Sequence, residues 1–218
     1  MKKLLFWMVL IVGIVVLLGS CAKKDDTTAT TTTATFTSTT TAAGSITVGS
    51  VAMSGTYVSG CNTSGVAAAV SGGYFPSDVV ANRDVIVVEG SDNVSEESHF
   101  YTDTSCSTLS VYSKNGNDNF TVGDQSGDYY KVTYNEATFK VMAVTSTAES
   151  FYESYFSTNN ITNQGTAVDL VVGTEYSMGG SGSSYMNLFS VTSTQVQKGD
   201  ASGSTQPTAM DSLEMAKQ

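Results

Sequence analysis

The chain has 218 residues, 40% of them hydrophobic and 14% charged, and a formal net charge of −10 at pH 7. That acidity disfavours nucleic acid and anionic lipid surfaces as partners, since both repel an acidic exterior. One histidine and three cysteines leave little material for imidazole or thiolate chemistry.

Lys2 and Lys3 precede an apolar run, Leu4 to Leu18, broken only by Gly13. The run is shorter than the roughly 20 residues a membrane-spanning helix needs. Positive start, short apolar core and the small pair Gly19–Ser20 follow the order of a secretory signal peptide, with an uncleaved anchor as the alternative. Leu18–Gly19–Ser20–Cys21 resembles the lipobox of bacterial lipoproteins. The resemblance implies a diacylglyceryl group on the Cys21 sulfur, cleavage before Cys21, and acylation of the new amino group. Residues 1–20 are then the signal peptide, and the mature chain begins at a lipidated Cys21. Two or more acyl chains hold a protein stably on a bilayer, at about 0.8 kcal/mol per buried methylene. Ala22 after the cysteine resembles an outer-membrane address, and Lys23–Lys24–Asp25–Asp26 resembles a short surface-export signal. The implied location is the bacterial cell envelope, on the outer membrane, its periplasmic or surface face left open.

Between Thr27 and Thr41, 11 of 15 residues are Thr. Such a tract packs no core and reads as an extended, solvated linker. Residues 21–44 are therefore expected to be a lipidated cysteine plus a flexible tether, averaging roughly 25 Å end to end. Residues 45–218 are long enough for one globular domain with its own core. Loss of Lys2 and Lys3 with the leader would make the net charge −12, which suits an exposed, soluble face. Cys61 and Cys106 remain, and in an oxidising compartment a lone pair reads most simply as a disulfide. Two cysteines and one histidine spread over this distance do not make a metal site.

Period-two alternation dominates the domain. Asp84 to Glu89 encloses Val85, Ile86, Val87 and Val88, a strand buried on both sides. Leu109, Val111 and Ser113 share a face, Asn115–Gly116 reads as a turn, and Phe120 and Val122 resume the pattern. Tyr130, Val132 and Tyr134 share the next face, and the apolar set then moves to Ala137, Phe139, Val141 and Ala143. That phase change predicts a turn or a bulge at Asn135–Glu136. Val168, Leu170 and Val172 repeat the alternation, as do Tyr185, Asn187, Phe189 and Val191. One segment differs: Ser146-x-x-Glu149 is a capping box, followed by Phe151, Tyr152, Tyr155 and Phe156 at helical spacing. A helix is predicted from Thr147 to about Thr158, its aromatic stripe covering a barrel end or a sheet face. The expected fold is all-β, an antiparallel lipocalin-like barrel or sandwich of about eight to ten strands with one short packed helix.

Gly55–Thr56–Tyr57, Cys61, Phe100 to Cys106, and Phe120–Thr121–Val122–Gly123–Asp124 resemble small bacterial lipoproteins of lipocalin-like shape. Leu188 to Val191, Gly199–Asp200 and Gln206 to Asp211 resemble their closing segment. Gly55-x-Tyr57 is also similar to the lipocalin first-strand signature, with Tyr where Trp is usual. The resemblance brings no activity with it.

Candidate chemistry is sparse. His99, within Glu96–Glu97–Ser98–His99–Phe100–Tyr101, has no G-x-S-x-G turn to serve and reads as a structural or surface histidine on a strand. Asn115–Asn119 and Gly123–Asp128 offer oxygen ligands for calcium, but turn chemistry explains both, and neither has EF-hand spacing. Gly179–Gly180–Ser181–Gly182 lacks the Lys of a phosphate loop and reads as a flexible hairpin or loop. No catalytic residue, metal or cofactor is expected, and no ligand-binding residue is identifiable. The leading expectation is a non-catalytic, lipid-anchored envelope protein that holds a small hydrophobic ligand if its barrel is hollow. The alternative is a surface adhesion or structural module that contacts macromolecules through its exterior.

Overall fold

The computed structural model describes residues 38–163 and 165–218. The expected leader, the lipobox-like stretch with Cys21, and the expected tether up to residue 37 lie outside the described residues. The elements are β1 (Ile46–Val48), β2 (Val51–Met53), β3 (Thr56–Ser59), α1 (Val66–Ser71), β4 (Ala81–Val88), β5 (Val94–Tyr101), β6 (Leu109–Ser126), β7 (Tyr129–Ala143), α2 (Ser146–Thr158), β8 (Thr162–Asn163), β9 (Thr166–Ala167), β10 (Tyr176–Ser177), β11 (Ser184–Val191), β12 (Gln195–Gly199) and β13 (Met210–Lys217).

Eight strands close into one antiparallel barrel in the order β3-β4-β5-β6-β7-β11-β12-β13, with β13 pairing back onto β3. Each stave neighbours the one before it in the chain, apart from the excursion between β7 and β11. That excursion carries α2, the β8–β9 hairpin and β10, which pairs with β7. Closure leaves the eight staves without a free edge, which is how an all-antiparallel sheet of this size avoids edge-to-edge association. Of the lipocalin-like barrel or sandwich expected, the barrel is the fold.

Two apolar layers seal the ends. At one end the β1–β2 hairpin inserts Ile46, Val48 and Met53 against Tyr57, Ile86, Val88, Val94, Val132, Phe189 and Met215. Phe120 stands edge-on to Phe189, with ring centroids 5.3 Å apart, and stacks on Tyr134 at 5.9 Å. Truncating a fully buried ring such as Phe189 to Ala costs about 3–5 kcal/mol in a core of this kind. Tyr57, of the first-strand signature, is fully buried here and its hydroxyl accepts the Ser54 N–H. At the other end α1 and α2 cover Phe75, Phe100, Val111, Val141 and Ala143 with Val66, Ala69, Ala148 and Phe156. The aromatic stripe of α2 thus roofs the barrel, as its helical spacing predicted.

The differences from the sequence expectations are local and have physical causes. Asn115–Gly116 is no turn: β6 runs straight through it, paired with β5 and β7. Glycine gives the Thr138 hydroxyl of β7 room there, since a Cβ would fall 2.3 Å from it and force that side chain to turn away. The chain reverses instead at Gly127, whose φ of 65° favours glycine. The phase change in β7 is a bulge rather than a turn, with Gly116 opposite Thr138 and Asn117 opposite Glu136. Ala137, assigned above to the apolar face, is the extra residue and is exposed, while Glu136 turns inward. Val168, Leu170 and Val172 form no strand: Leu170 is buried under α2, its N–H donating to Glu153, and Val172 is exposed. The α2 cap is Thr145, not Ser146; its Oγ1 accepts the Ala148 N–H and donates to Asp78. Helix α1 was not anticipated, since Ala67 to Ala69 carry no polar–apolar rhythm.

Cys61 and Cys106 form a disulfide, joining the segment after β3 to the β5–β6 connection. The last part of the expected tether also lies on the barrel: the Ala43 N–H donates to the Val88 carbonyl, and Ser38 to Thr40 reach Glu97.

Candidate ligand cavity

Alternation along each stave sends every second side chain inward. On β4 these are Asn82, Asp84, Ile86 and Val88, opposite Phe100, Ser98, Glu96 and Val94 of β5. The register continues the layers onto β6, where Asn117 neighbours Val94 and Asn115 neighbours Glu96. Between the two apolar seals the inward positions are therefore polar. They enclose a cavity of about 390 Å³. That lies within the range of small-molecule sites, about 300–1,000 Å³.

The cavity has two chemically distinct ends. Toward α2 it is bounded by Phe75, Phe100, Phe139, Tyr152, Phe156 and Met178. Toward the opposite seal the walls carry Asp84, Glu96, Glu136, Asp211 and Lys198. Lys198 reaches across from β12 to pair with Glu96. The two side chains keep 17% and 15% exposure because they border open space. Asn117 donates to the other Glu96 oxygen at 3.3 Å, Ser98 donates to Asp84 at 2.9 Å, and the Ser181 N–H donates to Glu136 at 3.1 Å.

The electrostatics follow from desolvation with few compensating charges. Burial pushes the Asp84 carboxyl up, against the pull of Lys198. Burial likewise raises Glu136, although hydrogen bonds from Ser181 oppose it, and raises Asp200 at the rim, with Asp211 adding to the effect. Burial works against the Lys198 charge, yet Glu96, with Asp84 and Asp211 behind it, holds its ammonium above the ordinary value. The Tyr134 phenol is driven well up by burial and by the Glu96 charge. Burial thus works against the charges of Asp84, Glu136 and Asp200, while Lys198 is held charged.

The residues singled out in the sequence fall elsewhere. His99 lies on the outer face of β5, buried, with Nε2 2.8 Å from Glu97 and its ring stacked 5.6 Å from Tyr112. Cys61 and Cys106 are together but away from the cavity, and Cys21 lies outside the described residues. Of the calcium candidates, Asn115 and Asn117 face the cavity from an unbroken strand. Among the described residues no group of three or more His, Cys, Asp or Glu is placed to hold a metal ion. The glycine stretch at 179–181 forms part of the rim, where Gly180 lies against the bulge at Ala137. Asp84, Glu96, Glu136, Lys198 and Asp211 were not identified from the sequence. A signal existed in Val94-x-Glu96-x-Ser98-x-Phe100, an apolar face with two polar residues at its centre. No protein-family model and no curated protein matches this chain.

Proposed function

We propose that this chain is a non-catalytic, lipid-anchored protein of the bacterial cell envelope, on the outer membrane, that carries a small, largely apolar ligand inside its barrel. The observation that carries the binding role is the cavity of about 390 Å³ between two packed ends, roofed by the aromatic stripe of α2. A barrel built for support alone has no use for such a space, because filling it with side chains would add stability. The anchoring role rests on the lipobox-like Leu18 to Cys21 and the Thr-rich tether. An adhesive exterior finds less support: the exposed large hydrophobic residues among those described are Val80, Val171 and Val172.

The test of binding is native mass spectrometry of the full chain purified in lipid nanodiscs. A co-purifying small molecule other than the nanodisc lipid, or saturable uptake of an apolar probe, is the expected result. An empty protein that takes up no probe overturns the carrier role and moves attention to the outer surface. The anchor is tested separately with Cys21→Ser, which should abolish acylation and release the mature protein from membranes. Retained acylation of that variant overturns the lipoprotein reading.

A further inference from the structure

The walls of the cavity are chemically lopsided. Lys198 is the one cation among the lining residues, and Glu96 already holds its ammonium. Asp84, Glu136, Asp200 and Asp211 have no cation of their own there, and Asp84 and Asp211 act on the same Lys198. A second observation points the same way. The Oδ1 atom of Asn115 is buried and accepts no hydrogen bond, and Asn115 sits directly across the sheet from Glu96. An unpaired acceptor in this half of the cavity calls for a donor, and carboxyls that outnumber the one cation favour a donor that is also positive. At the far end Phe75, Phe100, Phe139 and Phe156 offer apolar surface.

We infer that the cavity selects a cationic amphiphile, its ammonium-type head at the polar end that Asp84, Glu136 and Asn115 line and its alkyl or aryl body beneath α2. This rests on the carrier reading above and names the ligand class within it. A ligand carboxylate would have to displace Glu96 from Lys198 and then face the remaining acids at close range. A neutral alcohol fills the apolar end but leaves the acids as desolvated as before. A primary amine supplies three donors and a full charge where the protein supplies donors but only one shared cation. The order of affinity is amine, then alcohol, then carboxylate.

The experiment titrates the full chain, in nanodiscs of zwitterionic lipid, with decylamine, decanol and decanoate. Binding is read from the ¹³C-methyl signals of Met178 and Met215, which both line the cavity. Decylamine is expected to bind at least about tenfold more tightly than decanoate, a difference that one uncompensated charge contact readily supplies. Asp84→Asn and Glu136→Gln should each weaken decylamine severalfold and leave decanol unchanged. Two variants are used so that misfolding of one still leaves a test. Decanoate or decanol binding as tightly as decylamine overturns the charge selection and leaves the carrier reading intact. Amine preference unchanged in both variants overturns the assignment to these carboxyls. If none of the three probes shifts either methionine signal, the carrier reading falls and this inference falls with it.

Discussion

Glu96 and Glu97 are adjacent in the chain and face opposite worlds. Both lie on β5, so strand alternation sends Glu96 into the barrel and Glu97 to its outer face. Outside, Glu97 is saturated from its own chain: His99 Nε2 lies 2.8 Å away, and the hydroxyls of Ser38, Thr39 and Thr40 donate at 2.9, 3.3 and 2.5 Å. Burial opposes its charge, but the hydrogen bonds of His99 and Thr40 outweigh it and hold the carboxyl below the usual range. Inside, Glu96 shares Lys198 with its neighbours, and Asp84 and Glu136 are raised by burial. A buried carboxylate supplied with four donors is part of the architecture. Buried carboxyls that share a single cation are where a visiting positive group gains most.

The contrast can be broken in several ways. The largest effect is expected from a control that touches neither face. Replacing Cys61 and Cys106 by Ser opens a link of sequence separation 45. It should lower unfolding stability by about 4 kcal/mol in the chain-entropy picture. Urea titration measures that loss, and ligand preference should not change with it. Next, Glu97→Ala removes the acceptor from His99 and the three hydroxyls and should cost about 2–3 kcal/mol by the same urea assay. A midpoint equal to wild type would show that the strap from Ser38 to Thr40 contributes no stability.

A third test uses pH, where the two faces respond with opposite sign. Asp84 and Glu136 ionise at higher pH in the folded chain than in the unfolded one. Their contribution is therefore full below the unfolded carboxyl pKa and is lost as pH rises through the folded values. Glu136→Gln should then raise the urea midpoint at neutral pH, and the gain should vanish on acidification to about pH 4. Glu97 is depressed, so its contribution is present above its unfolded pKa and is lost as pH falls through the folded value. Glu97→Gln should be most destabilising at neutral pH and nearly silent in strong acid. The same sign for both variants would abolish the distinction between the faces. The smallest effect is expected at the half-exposed pair Lys140–Glu175, 2.8 Å apart. Lys140→Ala should cost no more than about 0.5 kcal/mol and should weaken further in salt.

Much of this architecture was legible in period-two patterning. Tyr130 to Tyr134, Tyr185 to Phe189 and Val85 to Val88 are strands because alternation and β-branching leave no other period. Helix α2 was legible because its aromatic residues repeat at three and four. Asn115–Gly116 misled because the same dipeptide that suits a hairpin turn also suits a close strand approach, and only the neighbour Thr138 distinguishes them. Val168 to Val172 misled because alternation describes a strand only when a partner edge exists, and β7 is occupied there by β6 and β10.

The linear order of residues was enough to define the all-β class of fold, several of its strands and the pairing of the two domain cysteines, because each depends on local periodicity or on simple arithmetic. It was not enough to find the cavity. Asp84, Glu96, Glu136, Lys198 and Asp211 come from five different staves, β4, β5, β7, β12 and β13, and each taken alone looks like an interruption of an apolar face. Only barrel closure brings β12 within reach of β5 and turns five interruptions into one acidic chamber. Glu136 follows Val132 and Tyr134 on the inward face, and the bulge at Ala137 lets Phe139 and Val141 face inward after it. Whether an inward carboxyl meets a partner is a question of register across the barrel, and register is settled when the last strand pairs with the first.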